Sequence, residues 1–249
     1  MIKEQRFQII LNELAQKEQV TYGDLAEVLK VSEDTVRRDI DSLYQNGLVS
    51  KVRRGAMLPS PAPVSFQDRA LFLQEEKNII ATKTLSFIKP GMTLFMDGGS
   101  TMCVIANRLP SDIAVRIITH NIPAIQLLTQ HKNVEVIVLG GKYDTETATC
   151  TGITTCLEVR NYVADLYLMG ICAISDKFGV TATFQDDADV KRAMLSRSRQ
   201  TFAIANSAVL QQNESFHVCE MKELEAIVTD LESNHPALDP FRNQGSRII

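Results

Sequence analysis

Two stretches of this 249-residue chain combine residue types that hold anions. The first is Ser32-Glu33-Asp34-Thr35-Val36-Arg37-Arg38, joined further along by Lys51, Arg53 and Arg54. A guanidinium pairs bidentately with a guanine edge or a phosphate, and a hydroxyl makes shorter contacts to base or backbone. The second is Thr93-Leu94-Phe95-Met96-Asp97-Gly98-Gly99-Ser100-Thr101, where an apolar strand pattern passes through paired glycines into a helix. Such a junction gathers unpaired amides at the positive end of a helix, where a phosphate or carboxylate is stabilised. Gly98 and Gly99 permit close approach, and Ser100 and Thr101 add hydroxyls. No Gly-Lys-Ser/Thr follows, so this is not a Walker loop. Each stretch has a plain alternative: a solvated helix face for the first, an ordinary strand-to-helix turn for the second.

The elements around the first stretch follow from apolar spacing. Phe7, Ile10, Leu11 and Leu14 recur at helical intervals within Ile2 to Lys17. Thr21 is suited to cap a short second helix running to about Leu29, with Leu25, Val28 and Leu29 as its buried stripe. After Lys30-Val31, Ser32 caps a third helix to about Asn46, ended by Gly47; Val36, Ile40 and Leu43 share its inner face. Thr35, Arg37 and Arg38 fall on or near the opposite side, free to meet a major groove. Leu48 to Val52 alternates as a strand does, Arg53-Arg54-Gly55 turns, and Ala56-Met57-Leu58 returns. Three helices and a hairpin make a winged helix over residues 1–58. Residues 59–71, opening on Pro59-Ser60-Pro61-Ala62-Pro63, are expected as a linker.

From Phe72 onward, apolar runs alternate with amphipathic segments, which predicts an α/β domain over residues 72–249 with a largely parallel sheet. Expected strands are Thr93 to Met96, Val115 to Thr119, Val134 to Leu139, Leu166 to Met169, Thr201 to Ala205 and Ala226 to Val228. Expected helices are Gln74 to Phe87, Thr101 to Leu109, Ile122 to Thr129 and Ala188 to Gln200. Polar or flexible points fall at the strand ends: Thr119-His120-Asn121, Gly140-Gly141-Lys142 and Thr151-Gly152. Ligands collect at the carboxyl ends of parallel strands, so these loops are candidates to line one crevice. Lys191 is within reach of an anion there, or else merely exposed.

Composition narrows the function classes. The longest apolar runs are far shorter than the roughly 20 residues of a membrane span, and no secretory signal is seen, so a cytoplasmic location is expected. The five cysteines (Cys103, Cys150, Cys156, Cys172, Cys219) show no paired spacing and read as reduced core thiols. No two of the four histidines stand at a chelating interval, so neither metal nor cofactor is expected. The net charge of -4 looks wrong for a polyanion partner, since phosphate neutralisation supplies most of that affinity. Residues 1–58, however, carry nine Lys/Arg against nine Asp/Glu, so the remainder holds the whole deficit. Within Thr35 to Arg54, the five basic residues face only Asp39 and Asp41, an excess of three positive charges.

Ser32-Glu33-Asp34-Thr35-Val36-Arg37-Arg38-Asp39-Ile40, followed by Leu43, Gly47-Leu48 and Arg54-Gly55-Ala56, resembles the signature of the DeoR family of transcription regulators. The resemblance implies that this helix enters the major groove of double-stranded operator DNA and that the Arg pair and wing contact it. The family's paired wing glycine is here Arg54-Gly55. Asp97-Gly98-Gly99-Ser100-Thr101, Thr119 with Asn121, Gly140-Gly141, Asp165 to Gly170, Val190 to Met194 and Val228-Thr229-Asp230 resemble the sensor domain of the same family. That implies a Rossmann-like α/β domain similar to ribose-5-phosphate isomerase that recognises a phosphorylated sugar. By the same resemblance Gly98 to Thr101 hold the phosphate, while Asp97, Asn121 and Lys191 address the sugar or neighbouring loops.

Two departures stand out. Where the family has Gly-Ala-Asp or Gly-Ile-Asp, this chain reads Gly170-Ile171-Cys172; where it has Asp-x-Ser-Lys-Phe, this chain reads Asn206-Ser207-Ala208-Val209-Leu210. The first argues against isomerase chemistry, which needs an ionisable group to move a proton. The expectation is therefore a repressor of a carbohydrate-utilisation operon, not an enzyme, acting as a homodimer or homotetramer. A sugar-phosphate isomerase-like enzyme fused to a DNA-binding head is the alternative, and a protein-interaction module a third.

Overall fold

The computed structural model describes residues 3–17, 19–45, 48–52, 54–57 and 65–249. These divide into two compact units, Met1–Gln74 and Glu75–Ile249.

In the first unit, α1 (Lys3–Lys17), β1 (Gln19–Thr21), α2 (Tyr22–Leu29) and α3 (Glu33–Gln45) precede a hairpin of β2 (Ser50–Val52) and β3 (Gly55–Met57). The expected caps are present. Thr21 accepts from the Asp24 amide, and the Asp24 carboxylate accepts from the Thr21 amide, closing a capping box on α2. Lys30 ends α2 in the left-handed region (φ 52°), and the Thr35 amide donates to Ser32 Oγ at 3.3 Å. Ile10, Leu14, Leu25, Leu29, Val36, Ile40 and Leu43 form a closed core beside Val20, Val49 and Ala56. Val28, expected in the buried stripe of α2, is instead 44% exposed. Leu25 and Leu29 lie one helical turn apart, and Val28 falls to the side of that line.

The hairpin carries a strand the sequence reading did not find. β1 pairs antiparallel with β3, giving the order β1-β3-β2. Gly55 makes this possible, because a Cβ there would stand 2.1 Å from the Val20 carbonyl oxygen. Within the stretch expected as a linker, Ser65 caps a further helix, α4 (Phe66–Leu71), and Tyr44 of α3 donates to Asp68 at 2.6 Å. Gly47, Arg53 and the proline stretch 59–63 lie outside the described residues.

The second unit begins with α5 (Gln74–Leu85) and continues β4 (Thr93–Met96), α6 (Ser100–Asn107), β5 (Val115–Thr119), α7 (Ile122–Leu128) and β6 (Val134–Val138). A hairpin of β7 (Lys142–Asp144) and β8 (Thr149–Thr151) leads into α8 (Ile153–Val159) and β9 (Ala164–Gly170). Then come β10 (Ala173–Ser175), β11 (Gly179–Ala182), α9 (Gln185–Leu195), β12 (Ser198–Ile204), β13 (Phe216–Cys219), β14 (Ala226–Val228) and α10 (Asp239–Arg242).

All six expected strands join one sheet, entirely parallel, in the order β14-β12-β9-β4-β5-β6. The chain winds outward from β4 to β6, returns to the centre at β9, and winds outward again to β14. This is the doubly wound order, and its switch point lies between β4 and β9. Leu94, Met96, Ile117, Leu166 and Leu168 pack beneath Ile80, Met102, Ile105, Ala124 and Leu128. Phe95 and Tyr167 alternate to the other face, where their rings meet edge to face at 6.3 Å.

The helix expected over Ala188 to Gln200 runs instead from Gln185 to Leu195, and β12 starts at Ser198. Acidic Asp186 and Asp187 suit the first turn of α9, whereas Arg199 and Gln200 are the exposed start of β12, in register with Ala164 to Leu166 of β9. The small sheet β10-β11-β13 and the β7-β8 hairpin were also missed, because strands of three or four residues carry too little alternation to read. Cys150 and Cys219 are buried, but Cys103, Cys156 and Cys172 are half-buried rather than core residues; all five are free thiols.

Candidate functional site

On the first unit, α3 turns its inner face to the core and its outer face to solvent. Arg37 and Arg38 are exposed, with Arg37 3.8 Å from Asp34 and its guanidinium 5.6 Å from the Tyr22 ring. Ser32 is exposed and Thr35 half-buried, their hydroxyls 3.0 Å apart at the start of the helix. Asp39, counted from sequence against the basic patch, points the other way. It is 3% exposed and takes a two-pronged bond from Arg6 (2.5 and 2.9 Å), which pins α1 to α3. The outer face is therefore more cationic than its sequence suggests. Lys51 lies on β2 opposite Ala56. Arg54 is exposed at the turn with φ 64°, its carbonyl accepting from the Tyr22 amide at 2.9 Å. Arg53 lies outside the described residues.

On the second unit, the carboxyl ends of β4, β5, β6 and β9 bring together most of the residues singled out from sequence. Gly99 caps α6 at φ 103°, supplies no side-chain cap, and a Cβ there would meet nothing within 4 Å. No side chain caps the start of α6 at Gly99. Gly98, beside it, is tightly enclosed: a Cβ would lie 2.7 Å from Thr149 Cγ2. Ser100 is buried and Thr101 half-buried. Asn121, fully buried, donates to the carbonyls of Asp97 (3.2 Å) and Gly99 (3.0 Å), and Thr119 donates to Met96 O at 2.7 Å. These bonds shape the glycine loop from below. The Gly140 amide donates to Glu158 at 2.8 Å, and Gly141 (φ 141°) leaves no room for a side chain beside Thr155.

Asp97 and Lys191 lie inside the protein, not at its lip. Asp97 is 0% and Lys191 3% exposed, and the ammonium donates to Asp97 Oδ2 and to the Gly170 carbonyl. Asp97 Oδ2 also accepts from Tyr167 Oη (2.9 Å) and the Gly170 amide (3.0 Å); Oδ1 accepts from the Gly98 amide (2.8 Å) and meets His120 Nε2 at 3.0 Å. The other ring nitrogen, His120 Nδ1, faces the Cys150 carbonyl at 2.7 Å. Burial would raise the Asp97 carboxyl, but the Lys191 charge and the His120 bond hold it well below the usual carboxylate range. Burial likewise opposes the Lys191 charge, yet Asp187 and Asp97 keep the ammonium above its ordinary value. Every lone pair of Asp97 is engaged by the protein, so this carboxylate positions the glycine loop and is not presented to a ligand.

His120, Tyr167 and Gly170 were missed as members of this cluster. Tyr167 carried a signal, a hydroxyl inside an otherwise apolar strand. Gly170 belongs because a Cβ there would press on the Gly98 carbonyl at 2.7 Å, which lets β9 close against β4. Among the described residues no group of His, Cys, Asp and Glu is arranged to hold a metal. No described helix is long and apolar enough to cross a membrane.

The DeoR-like helix-turn-helix domain matches residues 6–62, and the DeoR C terminal sensor domain matches residues 73–231. The chain is 28% identical over its full length, and 96% of the other protein, to the HTH-type transcriptional repressor GlcR of Bacillus subtilis. It is 29% identical to the glycerol-3-phosphate regulon repressor of Haemophilus influenzae, covering 90% of this chain and 88% of that one. Among solved structures, ribose 5-phosphate isomerase A of Methanocaldococcus jannaschii is similar with a TM-score of 0.40 and 14% identity, over 54% of this chain and 53% of that one.

Proposed function

The chain belongs to the DeoR family of transcription regulators, and on that premise we propose that it represses a carbohydrate-utilisation operon under the control of a phosphorylated sugar. It is a DNA-binding regulator and not an enzyme. In this reading α3 enters the major groove, with Ser32, Thr35, Arg37 and Arg38 toward bases and phosphates. Lys51, Arg53 and Arg54 of the wing meet the neighbouring backbone. The effector's phosphate is held at the Gly98 to Thr101 loop, whose Gly98 amide is fixed by Asp97, and the loops at Thr119, Asn121, Gly140 and Gly141 shape the remainder of the crevice. Asp97 and Lys191 act from below by holding that loop in place. The protein works in the cytoplasm, as a symmetric dimer or a pair of dimers on paired half-sites.

The observation that carries this reading is the uncapped start of α6, open at Gly99 and placed beside the switch point of the sheet. The positive dipole end of a helix at that place favours an anion. The isomerase alternative lacks the carboxylate that the isomerase comparison expects at position 172, where a thiol stands. Titrating pentose, hexose and triose phosphates against the operator complex tests the proposal. One of them should release the DNA while its unphosphorylated parent does not; if every phosphate leaves operator affinity unchanged, the sensor reading fails.

A further inference from the structure

His120 is fully buried just past the end of β5, and both of its ring nitrogens face oxygens that carry no proton. Nδ1 lies 2.7 Å from the Cys150 carbonyl of β8, and Nε2 lies 3.0 Å from Asp97 Oδ1. A carbonyl oxygen only accepts. Asp97 is held as a carboxylate beside Lys191, and its Oδ1 already accepts from the Gly98 amide. A neutral imidazole has one N–H and one bare lone pair, whereas the imidazolium has two N–H groups. In the neutral ring one nitrogen would therefore set its lone pair against an oxygen in the interior, with neither group satisfied. Only the cation satisfies both contacts.

The charges around the ring agree. Asp97 and, from α9, Asp187 are the carboxylates, and the Lys191 ammonium faces both. A charged His120 balances this cluster, while a neutral one leaves a carboxylate in excess among buried groups. Tyr167 of β9 donates to Asp97, and the thiols of Cys150 and Cys103 are pushed upward by burial, so all three stay uncharged near neutrality. Beyond those thiols, Glu158 of α8 acts on Cys150 and Lys77 of α5 acts on Cys103, one charge of each sign.

We propose that His120 is an imidazolium in the folded protein, and that it is the positioning residue through which the β7-β8 hairpin holds the glycine loop in its anion-receiving shape. The hairpin is joined to the end of β5 by backbone: the Cys150 amide donates to His120 O at 2.9 Å, the Ile122 amide to Ala148 O at 3.2 Å, and Asn121 pairs with Thr149. The ring carries that attachment on to the carboxylate that fixes the Gly98 amide. Loss of one ring proton releases one end of this link, and the loop loses a support. Anion affinity is therefore full while the ring holds both protons and falls as pH rises through the loss of one. The positioning role rests on the reading of this loop as the anion site; the protonation state does not.

The test uses the full chain with its histidine ring nitrogens labelled with nitrogen-15, the His120 signals being those absent from His120→Gln. Two proton-bearing nitrogens are expected at His120, and one after the ring titrates. Calorimetry with sulfate, which keeps both charges across the range, isolates the protein's titration; a phosphate monoester gains charge near pH 6 and would bind better as pH rises. Sulfate affinity of the wild type should fall about fivefold or more over the pH interval in which the ring loses its proton, as a modest coupling between the two events gives. His120→Gln should bind as weakly as the wild type at high pH, with no such step. A bare nitrogen at His120 at every pH where the protein is folded overturns the proposal, whether or not the variant folds, and leaves the anion site standing. A sulfate profile that His120→Gln reproduces overturns the positioning role, and no sulfate binding by a doubly protonated wild type overturns that role together with the anion site.

Discussion

Asp97 bears a charge in the interior, and its removal has a computable sign. A carboxyl held below its ordinary value contributes stability above about pH 4, and loses it as pH falls through the lowered value. An ammonium held above its ordinary value contributes fully below about pH 10.5, and loses it as pH rises further. The pair therefore holds a plateau across neutrality with its steep side in acid. Lys191→Met leaves Asp97 without its cation, and removing one partner of a buried pair costs about 3–5 kcal/mol. Urea unfolding from pH 3 to pH 8 should show that loss at neutrality and an acid limb moved to higher pH. The thiols behave oppositely: loss of water pushes the half-buried Cys103 up to about 11 and the buried Cys219 up to about 12, so both should resist alkylation in the native state.

At the scale of elements, the start of α6 is the sensitive point. Gly99 holds φ 103°, a conformation that L side chains rarely adopt, and strain there costs on the order of 1–3 kcal/mol. Gly99→Ala should therefore turn the first amides of α6 away from their anion. The expected result, read by calorimetry and operator titration, is effector affinity down at least tenfold with DNA affinity unchanged in its absence. The capping box of α2 serves a different end, since Thr21→Ala should cost about 1 kcal/mol of the first unit's stability and leave effector affinity untouched. That cap was legible because Thr21 stands just ahead of the apolar stripe of α2, whereas its Asp24 partner came from the structure. The β1-β3 pairing was not, because it joins residues distant in sequence through a close approach at Gly55.

For the whole molecule, the expected behaviour is linkage between a DNA-reading unit and a sensing unit. Coupling of about 1–3 kcal/mol would change operator affinity about fivefold to a hundredfold, and equally the effector's affinity when DNA is bound. Arg37→Ala and Arg38→Ala should each weaken operator binding; a lost phosphate contact lowers the salt slope by about one. Effector affinity in the absence of DNA should be unaltered. A salt titration with both variants indistinguishable from the wild type would remove α3 as the reading helix.

Much of this was settled by local pattern. Apolar spacing in Ile10, Leu14, Leu25, Leu29, Val36, Ile40 and Leu43 determined three helices, and the runs from Thr93 to Val228 determined six strands, because periodicity reports which face must leave water. The glycine pair at 98 and 99 likewise marked a strand-to-helix junction before any fold was known. What only the tertiary structure decided was direction: Asp39 turned inward to Arg6, Lys191 turned inward to Asp97, and His120 and Tyr167 converged on the same carboxylate. Charge pairs of that kind join residues 23 to 94 positions apart, and nothing local records them. The order of the strands, and with it the switch point between β4 and β9, came from packing for the same reason.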